Sequence, residues 1–194
     1  MSFGRILQRI RGGKFLTQLK TEWETYRKKG RISGSHFESE RGRECLQEIL
    51  DFLDGDAPDQ LRFEALKRAF LRSAATADPD SVLPQQYMRM IRSLTAGEAI
   101  LLFATYRNTD SFDSAHDWLN GMAERSPLHF PELVELHEEG LMKKQLITPR
   151  MLSDRSGIRK GQHGRLTSFG YSLCKYIEAD SIALGGSMSG RGDR

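Results

Sequence analysis

Thr95-Ala96-Gly97-Glu98 stands directly ahead of the most continuously apolar run in the chain, Ala99-Ile100-Leu101-Leu102-Phe103-Ala104-Thr105-Tyr106. The order S/T-x-x-E satisfies two orphan backbone donors at a helix start, so Thr95 is expected to cap a helix reaching about Arg107. A helix apolar on nearly all sides belongs in the centre of a core. Much of the chain repeats this helical period at spacings of three and four. Phe15/Leu16, Leu19, Trp23 and Tyr26 form one series, closed by Arg27-Lys28-Lys29-Gly30-Arg31 with Gly30 at the expected C-cap. Residues 32–39 read as a linker. Cys45, Leu46, Ile49, Leu50 and Leu53 form a second series; Leu61, Ala65, Leu66, Ala69, Phe70 and Ala74 a third, with Asp56 the expected N-cap and Pro58 in its first turn. Val82, Leu83, Tyr87, Met90, Ile91 and Leu94 follow Asp78-Pro79-Asp80. A more polar helix to about Arg125 carries Phe112, Ala115, Trp118, Leu119 and Met122. Residues 130–142 read as a helix with Pro131 in its first turn and Gly140 at its end.

The character then changes. Residues 144–151 lean towards β, 152–164 are rich in glycine and cations, and 165–170 can return as a second strand. Thr167 can cap a last helix carrying Phe169, Leu173, Cys174 and Ile177. The expected fold is mainly α, a multi-helix bundle with a C-terminal winged-helix-like β-hairpin. Its parts are a basic amphipathic segment (1–35), a helical domain (36–179, winged-helix-like over about 95–179) and a flexible tail (180–194). The competing account of 95–179 is an irregular loop between two helices of a plain bundle.

Charge is segregated. The net +3 resolves into +7 over residues 1–31, −10 over 32–142, +6 over 143–165 and balance thereafter. Two basic blocks flanking an acidic body fit internal pairing, or a partner such as nucleic acid or an anionic membrane. The longest apolar stretch is far too short to span a bilayer. Residues 1–13 lack the apolar region of a secretory leader. Cys45 and Cys174 lie in apolar-periodic surroundings and are expected as buried thiols. The expected compartment is the reducing cytoplasm.

Two stretches carry a family resemblance. Residues 61–102, LRFEALKRAFLRSAATADPDSVLPQQYMRMIRSLTAGEAILL, combine a helix from Leu66 to Ala75, the turn Asp78-Pro79-Asp80, a second helix from Leu83-Pro84 to Leu94, and the start Thr95 to Ala99. Within 130–178, LVELHEEGLM is followed by RLTSFGYSLCKYI. Both resemble the Abi-alpha abortive-infection family, with Gly97 and Ser168 departing from its usual acidic-or-polar residue and proline. The resemblance implies a role in bacterial defence against phage; it carries no catalytic residue onto this chain.

Catalytic and metal patterns are sparse. His137-Glu138-Glu139-Gly140-Leu141 starts like H-E-x-x-H, but Leu141 stands where the second ligand belongs, and a solvated helix face accounts for the run. His36, His116, His129, His137 and His163 lie in separate segments without ligand spacing. No G-x-S-x-G elbow or phosphate-cradling loop is present. No metal, cofactor or catalytic residue is assigned, and a non-enzymatic protein is expected. The candidate nucleic-acid contacts are Lys143, Lys144, Arg150, Arg155, Arg159, Lys160 and Arg165, interleaved with Gly157, Gly161 and Gly164. Cations on a pliant backbone can neutralise DNA or RNA phosphates without reading sequence. The bland account is a solvated loop whose cations answer the acidic body. The second candidate surface is Phe3, Arg5, Ile6, Arg9, Ile10 and Arg11. These make a basic amphipathic helix suited to packing, self-association or docking on a protein effector, with contact to an anionic membrane the other reading.

Overall fold

Leu16, Leu19 and Trp23 share one face of a 16-residue helix, α1 (Gly13–Lys28), and all three are buried. Its end follows from Gly30, which adopts φ +65°. The Gly30 N–H then bonds the Arg27 carbonyl and the Arg31 N–H bonds that of Tyr26, closing the helix. The computed structural model describes residues 13–32, 34–55, 58–75, 82–108, 112, 115–149 and 165–178. The expectations for Phe3, Arg5, Ile6, Arg9, Ile10 and Arg11, and for the tail, lie outside them.

The expected linker contains a 3-10 turn (His36–Glu38) that buries His36 against Trp23 and Phe70. Ser39 caps α2 (Glu40–Leu53), accepting from the Gly42 N–H at 3.0 Å. Gly42 is required there, because a Cβ would sit 1.7 Å from the His36 carbonyl oxygen. Asp59 makes the contact expected of a cap on α3 (Gln60–Ala75), accepting from the Arg62 N–H at 2.9 Å. Asp56 lies outside the described residues. Then follow α4 (Leu83–Ser93), α5 (Ala96–Arg107), α6 (Ala115–Arg125), α7 (Pro131–Lys143) and α8 (Ser168–Glu178). The capping box ahead of α5 is formed in both directions: Glu98 N–H to Thr95 Oγ1 at 3.2 Å, and Thr95 N–H to Glu98 Oε2 at 2.7 Å.

The helices form two groups. α2, α3 and α4 pack mutually, with α1 laid along α3; α5, α6 and α7 form the second set. α3 touches α5, and α8 packs on both. The core therefore centres on α3 as much as on α5. α3 buries Phe63, Leu66, Ala69, Phe70 and Leu71, while α5 buries Ala99, Leu101, Leu102 and Phe103. Lys67 is also buried on α3, its ammonium answered by Glu22 and by Glu64 at 2.8 Å.

The expected winged-helix-like hairpin is not found. The described residues are all-α and contain no strand; Ile147 and Leu166 form a single isolated antiparallel bridge. Local chemistry ends the pairing at its base: Gln145 leaves α7 in the left-handed region (φ 56°), and Thr167 is committed to α8, whose Gly170 N–H donates to its hydroxyl at 2.9 Å. Gly140 does not end α7, which continues to Lys143. A Cβ there would lie 1.9 Å from Glu98 Oε1, so its lack of a side chain seats that carboxylate.

Candidate nucleic-acid interface

On α7, Val134, Glu138 and Leu141 share the inward face, and Glu138 is fully buried. The solvated face expected for residues 137–141 is thus wrong at Glu138, and His137 is half-buried against Gly97. A carboxylate at such depth requires a cation. Arg165, itself buried, supplies it: its guanidinium pairs with Glu138, donates from Nη2 to the Thr148 carbonyl at 2.5 Å, and lies 4.2 Å from the centre of the Trp118 ring. Arg165 therefore joins α6, α7 and the segment leaving α7. It is not a surface cation.

Around this pair the two ends of the basic stretch are held together. The Thr148 N–H donates to the Arg165 carbonyl at 2.7 Å, and the Thr167 N–H to that of Leu146 at 3.1 Å. Thr167 Oγ1 donates to the Gln145 carbonyl at 2.8 Å. Gly170 allows the start of α8 to approach; a Cβ would stand 2.1 Å from the Leu146 oxygen. These contacts form a stem from which residues 149–164 depart and to which they return.

The structure brings three of the seven candidate cations to this stem and gives them different roles. Lys143 is exposed, with Glu139 at 3.8 Å. Lys144 is only 27% exposed and donates to the buried Glu98 at 2.7 Å, so its charge is largely spent internally. Arg165 is buried. Arg150, Arg155, Arg159 and Lys160 lie outside the described residues.

Sequence reasoning missed a second cationic cluster. Arg62, Arg89 and Arg92 line a cavity of about 380 Å³ with Asp51 and Phe52. Each guanidinium already meets an acid. Arg89 Nε donates to Glu48 Oε1 at 2.9 Å, Arg92 Nε lies 2.9 Å from Glu48 Oε2, Arg92 Nη1 donates to Asp51 at 2.7 Å, and Arg62 pairs with Asp59. The cluster clasps α2 to α4, and an anion would have to displace those carboxylates. The readable signal was a pair of complementary i,i+3 sets, Glu48/Asp51 and Arg89/Arg92.

One buried cluster has the residue types of a nucleophilic site. His36 Nε2 lies 3.0 Å from Ser73 Oγ, and Cys45 adjoins the same hydroxyl. Its electrostatics oppose such chemistry. Burial pushes the Cys45 thiol up to about 11, and burial with the nearby Arg41 charge pushes His36 down to about 4. Ser73 Oγ donates to the Phe70 carbonyl at 2.7 Å, so the hydroxyl accepts from His36 Nε2–H. Thiol and imidazole are both neutral near pH 7, and the cluster ties the 3-10 turn and α2 to α3. Cys45 and Cys174 are free and buried. Among the described residues no group of three metal-ligating side chains converges, and no helix is long and apolar enough to cross a membrane. Comparison with protein-family models, curated proteins and solved structures finds no match, so the resemblance over 61–102 and 130–178 gains no support from that side.

Proposed function

We propose that the protein is a non-enzymatic binding protein that holds nucleic acid by its phosphate backbone, through Lys143 together with Arg150, Arg155, Arg159 and Lys160. The stem carries this reading. Its buried ion pair, bridge and threonine bonds keep both ends of a glycine- and cation-rich stretch at one place, with Lys143 exposed beside it. Arg165 and Lys144 serve the stem rather than the ligand. Contact through phosphates suits the composition, because residues 149–164 contain no Phe, Tyr or Trp to stack on bases. A role in phage defence is proposed on the family resemblance alone.

A salt titration of DNA and RNA affinity tests the reading. Five phosphate contacts correspond to a slope of log K against log salt near about −4.5 for duplex DNA. Arg159→Glu with Lys160→Glu should flatten that slope by about 2. An unchanged slope and affinity in that variant would remove these residues from the interface. The alternative reading, an adaptor or antitoxin-like regulator, rests on the basic amphipathic sequence from Phe3 to Arg11.

A further inference from the structure

Ile100, Phe103, Ala104 and Arg107 recur on α5 at i, i+3, i+4 and i+7, so they share one stripe of the helix. α5 is apolar on nearly all sides, and α3, α6, α7 and α8 each cover part of it. On this stripe the cover is incomplete: Ile100 and Ala104 are only half-buried. With Leu61 from the first turn of α3 and Pro127 beyond α6, the stripe lines a cavity of about 410 Å³. Small-molecule pockets have volumes of about 300–1,000 Å³. Apolar surface left facing a cavity on the central helix forgoes the burial that close packing would give it, and an apolar ligand would restore that burial.

The polar lining gathers at one end. Arg107 closes α5, Asn108 is its C-cap, and Arg125 closes α6. Arg125 donates from Nη1 to Asn108 Oδ1 at 3.2 Å, and its guanidinium carbon lies 5.3 Å from the centre of the Phe112 ring; both of these partners are neutral. Arg107 gives Nη2 to Glu178. An ion pair this exposed is a weak tie, and it uses one of the five N–H groups of a guanidinium. A carboxylate can therefore be taken on another edge of Arg107 without Glu178 leaving. The Arg62–Arg89–Arg92 cluster differs, because Arg92 there spends Nε and Nη1 on two separate acids.

We infer that this cavity binds a small apolar carboxylate, its chain lying along Ile100, Phe103, Ala104 and Leu61 and its head on Arg107, with Arg125 the second cation of the mouth. The stripe from Ile100 to Arg107 is about 10 Å long, which suits a short alkyl chain. The edge of a guanidinium matches a carboxylate in plane and in charge. The head group thus sets orientation and selectivity while the chain supplies the buried area. The inference is independent of the nucleic-acid reading, which uses other residues.

Octanoate and octanol, titrated separately into the full chain labelled at its isoleucine δ1 methyls and followed by NMR, test it. Octanoate should shift the Ile100 methyl saturably and leave Ile49 on α2 and Ile91 on α4, both fully buried, in place. Arg107→Gln should weaken octanoate about ten-fold, the worth of one charge-assisted hydrogen bond, and leave octanol unchanged. Ala104→Phe should fill the cavity and abolish both shifts; Leu61→Trp serves if that variant loses the native Ile49 and Ile91 signals. Absence of a saturable Ile100 shift would overturn the site. Octanol binding as tightly as octanoate, or octanoate indifferent to Arg107→Gln, would overturn the carboxylate head. Shifts of Ile49 and Ile91 alongside Ile100 would show general loosening by an amphiphile and overturn a built cavity.

Discussion

Removing one partner of the Glu138–Arg165 pair should destabilise the protein far more than removing both. Glu138→Leu leaves a buried guanidinium holding the Thr148 carbonyl and facing the Trp118 ring. The ring attraction retains up to about 2 kcal/mol, so a loss of about 3 kcal/mol is expected, the low end for breaking a buried pair. That is a large part of the roughly 5–15 kcal/mol typical of a domain. Arg165→Met strands the buried carboxylate instead, and a loss of similar size is expected. The double variant, apolar on both sides, should return to within about 2 kcal/mol of wild type. Urea unfolding of the four proteins at pH 7 gives the coupling directly. If the two single losses simply add, the pair does not hold the stem together.

Further consequences are open to simple measurement. His36, held near a pKa of about 4 by burial and Arg41, binds fewer protons folded than unfolded between about pH 4 and 6.5, so the stability difference between wild type and His36→Gln should fall by up to about 3 kcal/mol as pH drops through that window. A difference that stays flat in denaturant titrations would show His36 to be solvated. Gly170→Ala should cost about 1–3 kcal/mol in thermal or urea unfolding, because the Leu146 oxygen that its Cβ meets is already bonded to Thr167 and cannot withdraw. Thr95→Ala should cost about 1 kcal/mol through loss of the α5 cap. Cys45, its thiol raised to about 11 by burial, should resist iodoacetamide until denaturant is added; rapid native labelling seen by mass spectrometry would contradict that burial.

Helix ends were legible where a residue has a local reason to be there. Gly30 takes a positive φ, Thr95 and Glu98 bond each other's backbone, and Thr167 accepts from Gly170; each is decided within a few residues. Apolar period likewise marked Leu16, Leu19, Trp23, Leu66 and Phe70 for the core. What failed depends on distant partners. Glu138 reads as polar surface until Arg165 is placed beside it, and Arg165 reads as one more cation of a basic run until it is seen facing Trp118. Gly140 looks like a helix stop because nothing nearby reveals the Glu98 carboxylate using its space. The hairpin was inferred from composition, whereas the described residues pair through one bridge, ended at its base by the positive φ of Gln145 and the cap duty of Thr167. The cavity along Ile100 and Ala104 escaped notice because periodicity marks apolar residues as inward without saying which remain uncovered.

The clamp at Thr148, Arg165 and Leu166 separates the folding problem from whatever the stretch between its jaws does. With both ends tied by the Glu138 pairing and the Ile147–Leu166 bridge, doubling that stretch would add only about 0.6 kcal/mol of closure entropy. Foreign peptides of varied length should therefore graft between Thr148 and Arg165 with the helices intact, making the domain a ready display frame for short binding sequences.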